Sequence, residues 1–228
     1  MTSRFLAVLL IAFLLLGAVP QEGCARLTRT EQSMKAQGLV DVQALDSTIR
    51  VSLMYSRPDN FTGKVLYTDL HHAYLHPKAA KALAEAQRLL RKEHPGWSLV
   101  VFDATRPMSV QQIMWNTVKN TSKNIYVSNP VHGGGLHNYG LAVDVSVCNE
   151  KGDTITMGTK VDHLGELAHV TDEPRFLAEG RLTKVALGNR RLLRRVMEGA
   201  GFRCLPTEWW HFNLVSRATA KKYYKVIR

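Results

Sequence analysis

Two short segments far apart in the chain, His137-Asn-Tyr-Gly-Leu-Ala-Val-Asp144 and Glu208-Trp-Trp-His211, carry two imidazoles and two carboxylates. Those residue types suit a catalytic zinc and its base. A catalytic zinc takes three protein nitrogen or oxygen donors and leaves its fourth position for water. His137, Asp144 and His211 can supply the three. Glu208 is then free to take a proton from that water and later protonate a leaving amine. The expected chemistry is hydrolysis, with one Zn2+ per chain.

The elements around these segments must deliver them. From Pro77 to Glu93 the apolar Ala80, Leu83, Ala84, Ala86, Leu89 and Leu90 recur near a 3.6 period, which predicts a helix with Pro77 in its first turn. Ser98 to Phe102 reads as a buried strand that delivers Asp103 and Arg106 to its end, before Pro107 breaks the pattern. Ser109 is expected to cap a second helix carrying Val110, Ile113, Met114 and Val118. From Leu141 to Val147 the alternation predicts a strand with Val143, Val145 and Val147 on one face and Ala142, Asp144 and Ser146 on the other. A basic amphipathic helix is expected from Asn189 to Gly199, closed by Gly201, and a strand from Trp209 to Val215. Glu208 and His211 are three apart, so a regular strand would point them to opposite faces, and one must sit in a turn or bulge before the strand begins, near Pro206. His137 belongs to the loop ahead of its strand, where Gly140 lets the backbone turn. The run His132-Gly-Gly-Gly135 is expected to edge the cleft. The fold class is α+β, a single domain with a central antiparallel sheet flanked by helices.

The pattern His-x-x-Gly-x-Ala-x-Asp followed by Glu-x-Trp-His resembles the zinc D,D-peptidases, the group of vancomycin-resistance type D-alanyl-D-alanine dipeptidases and zinc D,D-carboxypeptidases. Three further segments resemble the dipeptidase branch: Asp59-Asn-Phe-Thr-Gly63, Asp103-Ala-Thr-Arg-Pro107 and Met157-Gly-Thr-Lys-Val-Asp162. The resemblance runs from about residue 40 to about residue 215. It implies that Arg106, otherwise read as a structural ion-pair partner, stabilises charge on the scissile carbonyl. It implies equally that Asp162, which could instead cap or pair locally, holds the free α-amino group of a dipeptide. Asn60, Phe61 and Gly63 look like a pocket-shaping loop, with Asn60 taken as substrate-binding. The family commonly has Ser two residues before the first zinc-binding His; this chain has Gly135 there. Either a backbone N–H of the glycine run replaces that hydroxyl or specificity has changed. His71, His72, His76, His94, His132, His163 and His169 are read as non-ligands.

Met1 to Arg4 precede an apolar run from Phe5 to Val19, too short to span a bilayer comfortably and shaped like a signal-peptide core. Residues 1–25 are therefore expected to be a signal peptide, with the catalytic domain at 26–228 and export to the periplasm or cell envelope. Cleavage after Ala25 and lipid attachment at Cys24 are both open. Of the three cysteines, Cys148 and Cys204 remain in the mature chain. An oxidising compartment suggests a disulfide between them, and two buried thiols are the alternative. They are not spaced as zinc ligands. The net charge of +11, from 30 Lys and Arg against 19 Asp and Glu, favours anionic surroundings, which for an exported protein means cell-wall polymers or phospholipid head groups rather than nucleic acid.

The leading expectation is hydrolysis of D-alanyl-D-alanine to two D-alanines, with cell-wall peptides as the wider context. A D,D-carboxypeptidase or wall endopeptidase would use the same zinc set on a longer chain, through a cleft open on the amino side. An inactive peptidoglycan-binding module is the third reading, and retention of Glu208 beside all three ligands argues against it.

Overall fold

The computed structural model of the protein describes residues 27–228, so the expected signal peptide and Cys24 lie outside the described residues. Thr28 opens helix α1 (Arg29–Ala36) with a reciprocal cap: its hydroxyl accepts from the Glu31 N–H, and the Glu31 carboxylate accepts from the Thr28 N–H. A two-residue strand β1 (Val40–Asp41), a single-turn helix α2 (Val42–Leu45) and the short strands β2 (Arg50–Val51) and β3 (Tyr74–Leu75) follow. Helix α3 (Pro77–Glu93) has the expected bounds, and the His76 ring caps it by accepting from the Lys78 N–H.

Strand β4 (Ser98–Asp103) leads into helix α4 (Met108–Val118). The expected Ser109 cap is absent. Pro107 occupies the N-cap position with φ −58°, so the helix starts before Ser109 and no side chain caps it. Strand β5 (Ala142–Cys148) is followed by α5 (Glu173–Ala178) and α6 (Lys184–Gly199). Helix α6 begins well ahead of the expected Asn189 because the Thr183 hydroxyl accepts from the Ala186 N–H and caps it there. Strands β6 (Arg203–Leu205) and β7 (Glu208–Asn213) form a hairpin before the last helix, α7 (Arg217–Tyr223).

The principal sheet has the order β2-β4-β5-β7-β6. The expected antiparallel pairing holds from β4 to β6, whereas β2 lies parallel to β4 at the edge. A long connection separates those two strands in sequence, and that is what a parallel pair requires. Helices α3 and α6 pack together over one face. There Val143, Val145 and Val147 join Leu83, Leu90, Leu193 and Met197 in the main core. Asp144 and Ser146 alternate to the opposite face, as the period of two requires. No helix among the described residues is long and apolar enough to cross a membrane.

The expected Cys148–Cys204 disulfide is not formed; both thiols are free. Cys204 pairs with Phe212, which pairs with Val143, five residues before Cys148 on β5. Two strand spacings of about 4.8 Å and five residues of about 3.4 Å separate the thiols far beyond the roughly 7 Å Cα limit for a bridge.

Candidate active site

His137 sits in a 3-10 turn, Leu136–Tyr139, that ends on Gly140 at φ +66°. A Cβ on Gly140 would lie 2.9 Å from both the His76 nitrogen and the Thr105 hydroxyl, so the left-handed turn and the close approach both require glycine. Sheet register brings the other residues in. Asp144 of β5 pairs with His211 of β7 on one side and, past a bulge at Phe102, with Asp103 of β4 on the other. The irregularity between Glu208 and His211 lies within β7 rather than ahead of it as expected, because the strand already starts at Glu208: Cys204 pairs with Phe212 while the next residue, Leu205, pairs with Glu208. Trp209 to His211 lie within that offset, and Glu208 and His211 both face one cleft.

Three donor atoms converge there. His137 Nε2 lies 3.1 Å from His211 Nδ1, His211 Nδ1 lies 3.0 Å from Asp144 Oδ1, and His137 Nε2 lies 3.3 Å from Asp144 Oδ1. Tetrahedral ligands bonded at about 2.0–2.1 Å are separated by about 3.3 Å, so the triangle fits one zinc ion. The outer ring nitrogens are already engaged: His137 Nδ1 donates to the Ala104 carbonyl at 2.7 Å, and His211 Nε2 to Asn213 Oδ1 at 2.9 Å. Those bonds leave the inner lone pairs pointing at the shared centre. Burial pushes the Asp144 carboxyl up, yet the His137 and His211 imidazoles outweigh it and hold the group well below the usual carboxylate range. Among the described residues this is the one group of three so arranged.

Glu208 stands at the edge of the triangle, its Oε2 4.0 Å from His211 Nδ1, and is buried. Burial pushes its pKa up to about 7, reinforced by Asp144 and Asp162 and opposed by His211 and Arg106. A carboxyl in that range can both take and return a proton near neutrality. Asp162 is the only non-glycine residue at positive φ among the described residues, at +68°. Its Oδ1 accepts from the Tyr55 hydroxyl at 2.9 Å and its Oδ2 from the Phe61 N–H at 3.0 Å, while burial raises its pKa to about 7. Arg106 is held twice by Asp103 Oδ2, through Nε at 3.0 Å and Nη2 at 2.5 Å, and donates from Nη1 to Gln111 Oε1 at 3.0 Å. Its Nη2 comes within 3.9 Å of Asp144 Oδ2, beside the donor triangle.

These groups line a cleft of about 370 Å³ that also includes Tyr126, Gly135 and Trp210. Asn60 does not reach it. Its amide nitrogen donates to the Arg57 and Lys64 carbonyls and its oxygen accepts from the Thr62 N–H and hydroxyl, so the side chain is consumed in folding its own loop. Phe61, the next residue, lines the cleft instead. The histidines read as non-ligands have other work where bonds are made: His72 pairs with the buried Glu31, and His169 bridges Tyr126 to Asp172. Cys204 lines the cleft, but burial pushes its thiol up to about 12, which keeps it protonated and a poor ligand. Sequence reasoning missed Tyr55 and Tyr126 as cleft residues, and Tyr67, whose hydroxyl donates to Asp103 at 2.6 Å. A lone tyrosine outside a motif gives no signal of this kind.

A family model described as D-ala-D-ala dipeptidase, of the M15 peptidases, matches residues 35–228. A D-alanyl-D-alanine dipeptidase of Escherichia coli (strain K12) is 32% identical over 181 residues, covering 79% of this chain and 86% of the relative. The D-alanyl-D-alanine dipeptidase of Enterococcus faecalis (strain ATCC 700802 / V583) is 29% identical over 192 residues, covering 77% and 91%. A third, from Synechocystis sp. (strain ATCC 27184 / PCC 6803 / Kazusa), is 28% identical over 175 residues. With a triangle of two imidazoles and a carboxylate, an adjacent buried glutamate and a family match from residue 35 to residue 228, the chain is a metallopeptidase and belongs to the M15 family of D-ala-D-ala dipeptidases.

Proposed function

We propose that the protein is a zinc-dependent dipeptidase that hydrolyses D-alanyl-D-alanine to two D-alanines, with His137, Asp144 and His211 as the zinc ligands. The observation that carries the reading is Asp162: a half-buried carboxylate at the cleft, fixed by Tyr55 and Phe61. It offers a free α-ammonium a charged partner and gives a longer, acylated chain a wall. Held by His137, Asp144 and His211, a zinc ion would polarise the scissile carbonyl as a Lewis acid and would acidify the attacking water. Glu208 accepts the proton that water loses as its oxygen bonds to the carbonyl carbon. The same proton passes from Glu208 to the amide nitrogen as the C–N bond breaks, so the second D-alanine leaves as a neutral amine. Arg106, clamped by Asp103 and Gln111, holds its charge ready for the developing oxyanion without moving.

Export to the periplasm or cell envelope belongs to the same reading, supported by the apolar run from Phe5 to Val19. The test compares free D-Ala-D-Ala with its N-acetyl derivative, using zinc-loaded and chelator-treated protein. Zinc-dependent cleavage of the free dipeptide alone is expected, and comparable cleavage of the acetylated peptide would move the assignment to a carboxypeptidase. Glu208→Gln should lower kcat by about 10² to 10⁴ while zinc content stays at one ion per chain. Loss of zinc together with activity would make Glu208 a ligand instead.

A further inference from the structure

Gly135 has an ordinary backbone, φ −104°, that any residue adopts. The space beside its Cα is taken by a neighbour. A Cβ on Gly135 would lie 2.9 Å from Ser128 Oγ and 3.3 Å from Ser128 Cβ. One hydroxymethyl group fits in that space, and it arrives from Ser128. Both residues line the cleft.

Ser128 is also tied to the catalytic groups. The buried Gln111 donates from Nε2 to the Ser128 carbonyl at 2.7 Å, and its Oε1 accepts from Arg106 Nη1 at 3.0 Å. One side chain thereby fixes the guanidinium and the serine backbone together. The Ser128 carbonyl is consumed in that bond, whereas its hydroxyl has no hydrogen-bond partner among the described residues. A half-buried hydroxyl at a cleft wall that no protein group occupies is available to a ligand.

We propose that Ser128 is a substrate-binding residue whose hydroxyl donates to the C-terminal carboxylate of the dipeptide, in the place a side chain at position 135 would otherwise fill. The assignment rests on the dipeptidase reading. The dipeptide is a zwitterion, and its carboxylate is repelled by Asp162, Asp144 and Glu208. The donors of the cleft are Arg106, joined through Gln111 to Ser128, and Arg203 and Arg217 on its lining. A hydroxyl bonded to a carboxylate is among the stronger hydrogen bonds, and the amine at Asp162 and the carboxylate at Ser128 would together fix the length of the substrate.

The experiment measures kcat and KM for D-Ala-D-Ala and for its C-terminal amide in the wild type, Ser128→Ala, Gly135→Ser and the double variant Ser128→Gly/Gly135→Ser. Ser128→Ala should lower kcat/KM for the dipeptide roughly 10- to 100-fold, chiefly through KM, with a clearly smaller loss for the amide. Gly135→Ser alone should also lose activity, because the two side chains compete for one space. The double variant should recover most of the wild-type value, the non-additivity expected of groups in contact. A lowered zinc content or thermal midpoint in any variant identifies a folding defect, and Ser128→Ala, which removes only one oxygen, remains interpretable if the glycine variants misfold. A wild type that cleaves the dipeptide while Ser128→Ala stays within about twofold of it would overturn the Ser128 assignment alone. A wild type inactive on the dipeptide would overturn the dipeptidase reading and this one with it.

Discussion

Asp162 must be ionised to hold an ammonium, yet its burial raises its pKa to about 7 from an ordinary 3.8. The folded chain therefore holds a proton at this site that the unfolded chain releases between about pH 4 and 7. Stability from this group is fully present below about pH 4 and is lost as pH rises through 7. Asp162→Asn removes that dependence, and asparagine tolerates the left-handed backbone at this position. At pH 8 the variant should be more stable than the wild type by a few kcal/mol, with about 4 kcal/mol as the upper bound, and the gap should close toward pH 4. Urea unfolding at pH 5 and pH 8 reads this directly; a gap independent of pH would mean that the Asp162 carboxyl titrates normally. The same variant should raise KM for the free dipeptide steeply. Asp162 is thus a site where binding is maintained at the expense of stability.

Among the elements, the turn that carries His137 is the most constrained. It enters β5 through Gly140, whose positive φ and contacts at 2.9 Å leave no room for a methyl group. Gly140→Ala should cost about 2–4 kcal/mol through backbone strain and displacement of His76 or Thr105. It should also weaken zinc binding, since His137 lies three residues away in the same turn. Denaturant unfolding and zinc titration of the variant test both parts, and a loss of stability with unchanged zinc affinity would show that the turn tolerates the shift. The bulges act at the same scale. Without the extra residue at Phe102 in β4, Asp103 and Asp144 would fall out of register, and the clamp on Arg106 would no longer face the donor triangle.

At the scale of the whole molecule, the proposed metal ligands come from a turn, from β5 and from β7. Their convergence exists in the folded chain and is lost on unfolding, so zinc should stabilise the fold by linkage. At a free zinc concentration about 1,000 times Kd the gain is about 4 kcal/mol. A chelator should lower the thermal midpoint by several degrees, and added zinc should restore it. The free thiols give a second global test. Because Cys148 and Cys204 lie on strands separated by β7, reductant should leave the thermal midpoint unchanged, and both should react with a thiol reagent once the protein is unfolded. A reductant-sensitive midpoint would mean that they pair after all.

Residue identity and spacing were enough to single out His137, Asp144, His211 and Glu208 as a candidate metal site and base, because that chemistry draws on few residue types and the segments that carry them are short, whereas roles for Arg106 and Asp162 came only from the family resemblance. The long elements were legible for a similar reason: α3 and β5 follow apolar periods that persist over many residues, and those periods report which face is buried. Ends were less legible, since Pro107 and Thr183 compete with equally suitable caps nearby. Only the tertiary structure decided which residues meet across the sheet. It parted Cys148 from Cys204, turned Asn60 into its own loop, brought Tyr55 to Asp162 and put Ser128 against Gly135. Those outcomes depend on strand order, register and the packing of loops that are distant in sequence. They are set by the burial of the whole core, and no local pattern in the chain encodes them.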